Sequence, residues 1–245
     1  MIKLAAASKA GTAHDNGNGI CQDSVETGHV GGVYCAALSD GAGSVEKSEL
    51  ASQAVAEDVV RRFCGDFERW YDLEIEEFRS ELISNCRSAV KEINGAVGAD
   101  CTLLFFVLSE DGRYMWGHIG DGAIFGIDPD DSVELISEPE NGDEPNQTYF
   151  LSGKNAYEHL FIGRGDFFEW RSVILCSDGI SPSLWNKMEN EFAGAMFLMT
   201  NWLEDNTEEI VSAALARELD ETFRQRTADD MSIAIMIRTQ EPYQE

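Results

Sequence analysis

Three apolar, β-prone runs in this chain end on an aspartate followed by glycine. Val33 to Leu38 runs into Ser39-Asp40-Gly41-Ala42-Gly43-Ser44, Arg113 to Ile119 into Gly120-Asp121-Gly122, and Phe168 to Cys176 into Ser177-Asp178-Gly179. A fourth site, Asp229-Asp230, opens such a run, Met231 to Arg238, instead of closing one. A carboxylate at the tip of a buried strand is costly unless a cation or several donors meet it. Four such tips restrict the chain to folds that gather the acidic ends of separate strands, and they point to one shared metal site. A lone Asp-Gly pair means little: Asp111-Gly112, between Thr102 to Leu108 and Arg113 to Ile119, is simply a hairpin turn.

The remaining pattern supplies the elements around these tips. Ile2 to Ser8 reads as a strand, Gly11 to Cys21 as a loop carrying His14, and Gly31-Gly32 as a hairpin return into Val33 to Ser39. Ser44, with Glu46 behind it, reads as the N-cap of a helix whose apolar face is Ala51, Val55, Val59 and Phe63; amides at its start would lie beside Asp40, where they could hold phosphate. Ile75, Phe78, Leu82, Cys86, Ala89 and Ile93 mark a second helix closed by Asn94-Gly95. Ala123 to Ile127 and Leu160 to Gly163 are short strands. Ser183 to Leu203 and Asn206 to Arg226 read as helices, the latter capped by Asn206 with Glu209. Helix and strand do not alternate regularly, so the expected class is α+β, a sandwich of mostly antiparallel sheets covered by helices.

With 245 residues, 43% of them apolar, and no linker or repeat, one domain is expected over residues 1–245. The acidic, proline-bearing stretch from Asp128 to Gln147 reads as an insert or flap, extending over 128–167, and 239–245 as a frayed tail. A net charge of −27 argues against nucleic acid or an anionic membrane as a partner. The N-terminal stretch lacks the apolar core of a secretion signal, and no run approaches the ~20 residues that span a bilayer, so a cytoplasmic protein is expected. Six scattered cysteines read as reduced, mostly buried thiols.

Taken in order, Gln22-Asp23, Ser39-Asp40-Gly41-Ala42-Gly43, Gly120-Asp121-Gly122, Ser177-Asp178-Gly179 and Asp229-Asp230-Met231-Ser232 resemble the motifs of the metal-dependent Ser/Thr protein phosphatases of type 2C. Thr12-Ala13-His14 through Cys21-Gln22-Asp23 is similar to a bacterial branch of that family. The resemblance spans nearly the whole chain. It implies a four-layer α-β-β-α sandwich with two Mn²⁺ or Mg²⁺ ions at one end and hydrolysis of phosphoserine and phosphothreonine in proteins by a water that the two ions activate. It also implies roles. Asp40 would bridge the ions with help from the Gly41 carbonyl, Asp178 and Asp229 would complete the set, Asp23 would act from the outer shell through water, and Asp121 would match a third, weaker site. An all-oxygen ligand set independently selects hard cations over zinc. Neither a Cys-centred phosphate loop nor a nucleotide-binding Gly-x-x-x-x-Gly-Lys is present, so no organic cofactor is expected. The implied partners are a phosphorylated protein and a Ser/Thr kinase, with a monomer as the expected state.

Departures from the family pattern leave a second reading, a catalytically weak or inactive binding module. Gln22 stands where many relatives have Glu, and Asn18 where they have the Arg that grips phosphate. His14 could replace that Arg as a phosphate donor or leaving-group acid, or be an ordinary loop histidine. Ser44 and Ala42 are milder changes in the Asp40 turn. Retention of Asp40, Asp178 and Asp229 favours the enzyme, since a decayed site should lose ligands first. His29 and His159 read as surface or loop residues, His118 as a packed strand residue, and Arg164 as a surface arginine with a lesser case for reaching phosphate.

Overall fold

The computed structural model describes residues 1–14, 19–93, 98–142 and 147–239. Two five-stranded antiparallel sheets form the centre. The first contains β1 (Ile2–Lys9), β6 (Ala123–Ile127), β7 (Val133–Ser137), β9 (Ser172–Cys176) and β12 (Met231–Arg238), in the order β1-β12-β9-β6-β7. The second contains β2 (Asp23–Val30), β3 (Val33–Asp40), β4 (Leu103–Ser109), β5 (Tyr114–Ile119) and β8 (Phe161–Gly165), in the order β2-β3-β4-β5-β8. Helices α1 (Ser48–Gly65) and α3 (Ile75–Glu92), joined by the short α2 (Phe67–Asp72), cover the second sheet; α6 (Ala195–Asp205) and α7 (Glu208–Glu221) cover the first. The α-β-β-α layering matches the expectation.

Period-two alternation decides which layer each strand residue enters. On β4, Leu103, Phe105 and Val107 face α1 and α3, while Leu104, Phe106 and Leu108 enter the layer between the sheets. On β12, Ile233, Ile235 and Ile237 face α6 and α7, while Ala234 and Met236 turn inward. Both faces are therefore apolar, which is why these strands read as continuous hydrophobic runs.

Several boundaries differ from the sequence expectation, each for a local reason. Helix α1 starts at Ser48, not Ser44: Lys47 is left-handed (φ 64°), and the preceding loop closes on itself through a bond from the Val45 amide to the Ala42 carbonyl. The helix is fastened there by Gln22 Nε2, which donates to Ser48 Oγ at 2.7 Å. The stretch expected to be helical from Ser183 to Leu203 is broken. A one-turn α5 (Ser181–Leu184) leads into a hairpin, β10 (Trp185–Asn186) with β11 (Glu191–Phe192), before α6 begins. Left-handed Asn190 (φ 52°) permits the reversal. The acidic stretch after Asp128 is not wholly a flap, because β7 is the edge strand of the first sheet and pairs with β6. A short α4 (Ala156–His159) follows it before β8. Asn94-Gly95 lies outside the described residues, as does the tail beyond Thr239; Thr239 itself is bonded to Met1.

Helix α7 is capped by Thr207, not Asn206: the Ile210 amide donates to its Oγ1. We expect Thr207→Ala to cost about 1 kcal/mol, lowering the melting temperature by roughly 2–4 °C. A thermal melt checks this, and an unchanged midpoint would show that the cap contributes nothing.

The cysteines are free, and all but the half-buried Cys21 are buried. Met196 and Met199 lie in the core, with Trp185 and Trp202 packed against it. Among the described residues no helix is long and apolar enough to cross a membrane.

Candidate metal centre

Strand register explains why the acidic tips meet. In the first sheet Cys176 pairs with Ala123 on one side and Ile233 on the other. Asp178 follows Cys176, Asp121 precedes Ala123 and Asp229-Asp230 precedes the start of β12, so in an antiparallel sheet all leave the same end of the strands. In the second sheet Asp23 lies directly opposite Asp40. One carboxylate oxygen from each of Asp40, Asp121 and Asp178 lies within 4.8 Å of the others.

The backbone around these tips is held tightly. The Asp40 amide donates to Thr102 Oγ1 at 3.0 Å, the Thr102 amide donates back to the Asp40 carbonyl at 2.9 Å, and Ser39 Oγ donates to the Thr102 carbonyl at 2.6 Å. A side chain at Gly41 would bring Cβ within 2.7 Å of the Ser48 carbonyl oxygen, and one at Gly179 within 2.0 Å of the Asp230 carbonyl oxygen. Glycine in these motifs is thus required by close backbone approach rather than by turn conformation.

Asp229 and Asp230 separate clearly. Asp230 is buried; its Oδ1 accepts from the Gly11 amide at 2.8 Å and its Oδ2 from the Gln22 amide at 2.5 Å, so it clasps the N-terminal segment. Asp229 is exposed, and its Oδ1 accepts from the Asp230 amide at 2.9 Å. It lies near enough to Asp121 and Asp178 for its charge to push both carboxyls upward.

Electrostatics report the crowding. Burial, with only partial relief from Ser232, pushes Asp23 up to about 6. Burial, then the charges of Asp121, Asp229 and Asp23, push Asp178 up to about 8. Burial, followed by Asp23, Asp178 and Asp121, holds Asp40 well above the carboxylate range, and burial raises Asp121. Asp23 Oδ1 and Asp178 Oδ1 are buried and accept no hydrogen bond from the described residues. Crowded carboxylate oxygens, two of them without a donor, and no His or Cys grouped with them among the described residues fit a hard divalent cation.

Sequence reasoning missed the residues that aim the carboxylates. Ser232 Oγ donates to Asp23 Oδ2 at 2.7 Å, while its amide donates to Ser177 Oγ at 2.9 Å. Thr102 and Ser232 carried only a weak signal, small hydroxyl residues at strand starts. Ser232→Ala should lower phosphate release about 10-fold, the usual scale for a residue that orients a metal-site group; an unaltered rate would show that Asp23 needs no orienting donor.

Other candidates resolve differently. Arg164 donates to the carbonyls of Tyr71 and Leu73 and stacks near the Tyr71 ring, so it is a structural residue. His118 is fully buried, bonded to Ser137 Oγ at 2.7 Å and pushed down to about 4 by burial. His159 is stacked on Tyr149 and paired with Glu140 instead of lying free on the surface. His29 stacks on Tyr34. The main chain of His14 ends a 3-10 turn (Thr12–His14) pinned by a bond from the Ala13 amide to the Ala228 carbonyl, next to Asp229. The His14 side chain and Asn18 lie outside the described part.

A family model described as Protein phosphatase 2C matches residues 10–220. The chain belongs to the protein phosphatase 2C family. Its reaction is metal-dependent hydrolysis of phosphoserine and phosphothreonine in proteins, and its substrates are phosphoproteins. Similar folds include RsbX in complex with magnesium (17% identity, 97% of this chain and 96% of that one, TM-score 0.58). Stp1 from Staphylococcus aureus is another (16%, 98% and 96%, 0.62), as is the photosystem II phosphatase PBCP (13%, 98% and 99%, 0.64). No curated protein sequence matches the chain. The phosphatase therefore shares the fold of these proteins across its length while having diverged far in sequence.

Proposed function

We propose that the Asp cluster is the catalytic centre, with Asp40, the Gly41 carbonyl, Asp178 and Asp229 holding two Mn²⁺ or Mg²⁺ ions, Asp23 acting through water and Asp121 serving a third ion. The observation that carries this reading is the convergence of Asp40, Asp121 and Asp178 within 4.8 Å, with Asp23 opposite Asp40. When bound, such ions supply an activated water and neutralise charge developing on the phosphoryl oxygens. The protein's part is to hold the carboxylates in place before substrate arrives. Thr102 pins Asp40, Ser232 turns Asp23 so that Oδ1 is left to accept a hydrogen bond from water, and Asp230 ties Gly11 and Gln22 to the same end of the strands. Gln22 is engaged with Ser48, so its replacement of Glu supports the start of α1 without adding charge to the cluster.

Phosphate release from a phosphothreonine peptide across a Mn²⁺ titration tests the proposal; no metal-dependent release at any concentration would sink it. His14 is proposed as the phosphate contact or leaving-group acid in place of the family arginine. His14→Ala should reduce kcat/KM about 10-fold or more, and an unchanged kcat and KM would return it to a loop role. We further propose a single phosphatase domain, acting as a cytoplasmic monomer opposite a Ser/Thr kinase. Size-exclusion chromatography with light scattering tests the monomer.

A further inference from the structure

Beside the Asp cluster runs a groove of about 510 Å³ whose lining includes Asp121 and Asp178 together with Pro139, Pro182, Trp185 and Met188. One wall is the β10–β11 hairpin, the element that sequence periodicity did not anticipate. It is anchored from below: the Trp185 ring packs on Phe125 of β6 and stacks with Phe192, each at 6.5 Å between centroids. Its tip is ordered by Asn186, whose Oδ1 accepts from the Met188 amide at 3.1 Å and whose Nδ2 donates to Glu189 at 2.9 Å. On that tip Met188 is 97% exposed, more than any other large apolar side chain among the described residues. An unbranched thioether held out on an ordered turn can adapt to varied apolar partners.

We propose that this groove is the substrate-reading cleft of the phosphatase and that it takes a polypeptide segment whose residue next to the phosphorylated Ser or Thr is apolar. The proposal rests on the catalytic assignment above, because Asp121 and Asp178 are common to groove and cluster. The lining decides the chemistry of the flanking residue. An acidic side chain there would meet Asp121 and Asp178, and a basic one would compete with the ions for those same carboxylates while lying against Lys187. Lys187 already pairs with Glu138 at 3.2 Å and lies 5.8 Å above the Trp185 ring. The two prolines, Trp185 and Met188 offer an apolar side chain a surface that it removes from water along with its own. Because the wall is ordered before binding, little conformational freedom is lost when it is used.

The test uses the Mn²⁺-loaded protein and two phosphothreonine peptides that differ only in carrying Leu or Gly on both sides of the phosphoresidue. A matched pair with a non-hydrolysable phosphonate is used for binding, read by fluorescence anisotropy. The Leu peptide should bind at least fivefold more tightly than the Gly peptide and show a similar advantage in kcat/KM. Met188→Ser should bring both ratios below twofold, while Met188→Leu should retain them. Equal binding of the two peptides by the parent, or a preference that survives Met188→Ser, would overturn the proposal. Because binding is measured without turnover, absence of metal-dependent phosphate release would count against the catalytic assignment alone, and the binding ratio would still decide the groove.

Discussion

Replacing Asp40 or Asp178 by asparagine is expected to lower manganese-dependent phosphate release by more than about 100-fold, beyond the 10–100-fold typical of residues that only orient a metal ligand. The same substitutions should stabilise the metal-free protein at high pH. Asparagine has the shape of a protonated aspartate, and both carboxyls are held up by burial and by their neighbours, Asp178 to about 8. At pH 5 Asp178 is already protonated, so Asp178→Asn changes the melting temperature little. At pH 9 the parent must keep a buried carboxylate beside Asp121 and Asp229, and the variant need not. Activity assays and metal-free melts at the two pH values check the pair of effects. A variant that loses activity and also melts lower at pH 9 would show that the aspartate is needed for the fold, and the catalytic assignment would lose its main support.

Metal removal should make stability strongly dependent on pH. A carboxyl whose folded pKa lies above its unfolded value binds more protons folded than unfolded between those two values, so stability falls as pH rises through that window. For Asp178 the window runs from the ordinary 3.8 to about 8, and for Asp23 from 3.8 to about 6. Without metal the protein should therefore melt progressively lower from pH 5 to pH 8. A divalent cation competes with those protons, so its stabilisation should be larger at pH 8 than at pH 5. At 100 times its dissociation constant a single bound ion contributes about 2.7 kcal/mol, which for a chain of this size is roughly 5–10 °C. Melts with EDTA and with Mn²⁺ at both pH values test this. A metal shift that is equal at both, or a metal-free midpoint that rises with pH, would show that the cluster does not carry the proposed burden of charge.

Much of the fold was legible because its strands are buried on both faces and are bounded by turn residues. Val33 to Asp40, Ala123 to Ile127 and Met231 to Arg238 could be read almost to the residue. The second half was harder. Ser183 to Leu203 carries helical spacing throughout, yet the chain breaks it at Trp185, where the indole gains contact with Phe125 of β6, remote in sequence, and with Phe192 across its own hairpin. The Thr207 cap was displaced by one residue because Asn206 turns its amide back to the Trp202 carbonyl. The Asp128 stretch looked like a flap because an edge strand buried on one side leaves a weaker apolar pattern, and β7 is half exposed.

By itself the sequence determined that Asp40, Asp121, Asp178 and Asp229 stand at the ends of apolar strands, and their order, with Asp23 before them, was enough to expect a metal-dependent phosphatase. That much is local: an apolar run, a turn and a carboxylate are visible wherever they occur. Only the tertiary structure decided which carboxylates meet, which of Asp229 and Asp230 is consumed by backbone amides, and which hydroxyls aim the others. Those outcomes depend on register between strands far apart in the chain, Asp23 against Asp40 and Cys176 between Ala123 and Ile233. Register follows from the packing of four layers at once. The exposed Met188 beside the cluster belongs to the same class, since nothing in its neighbours along the chain says that it stands at the mouth of a groove.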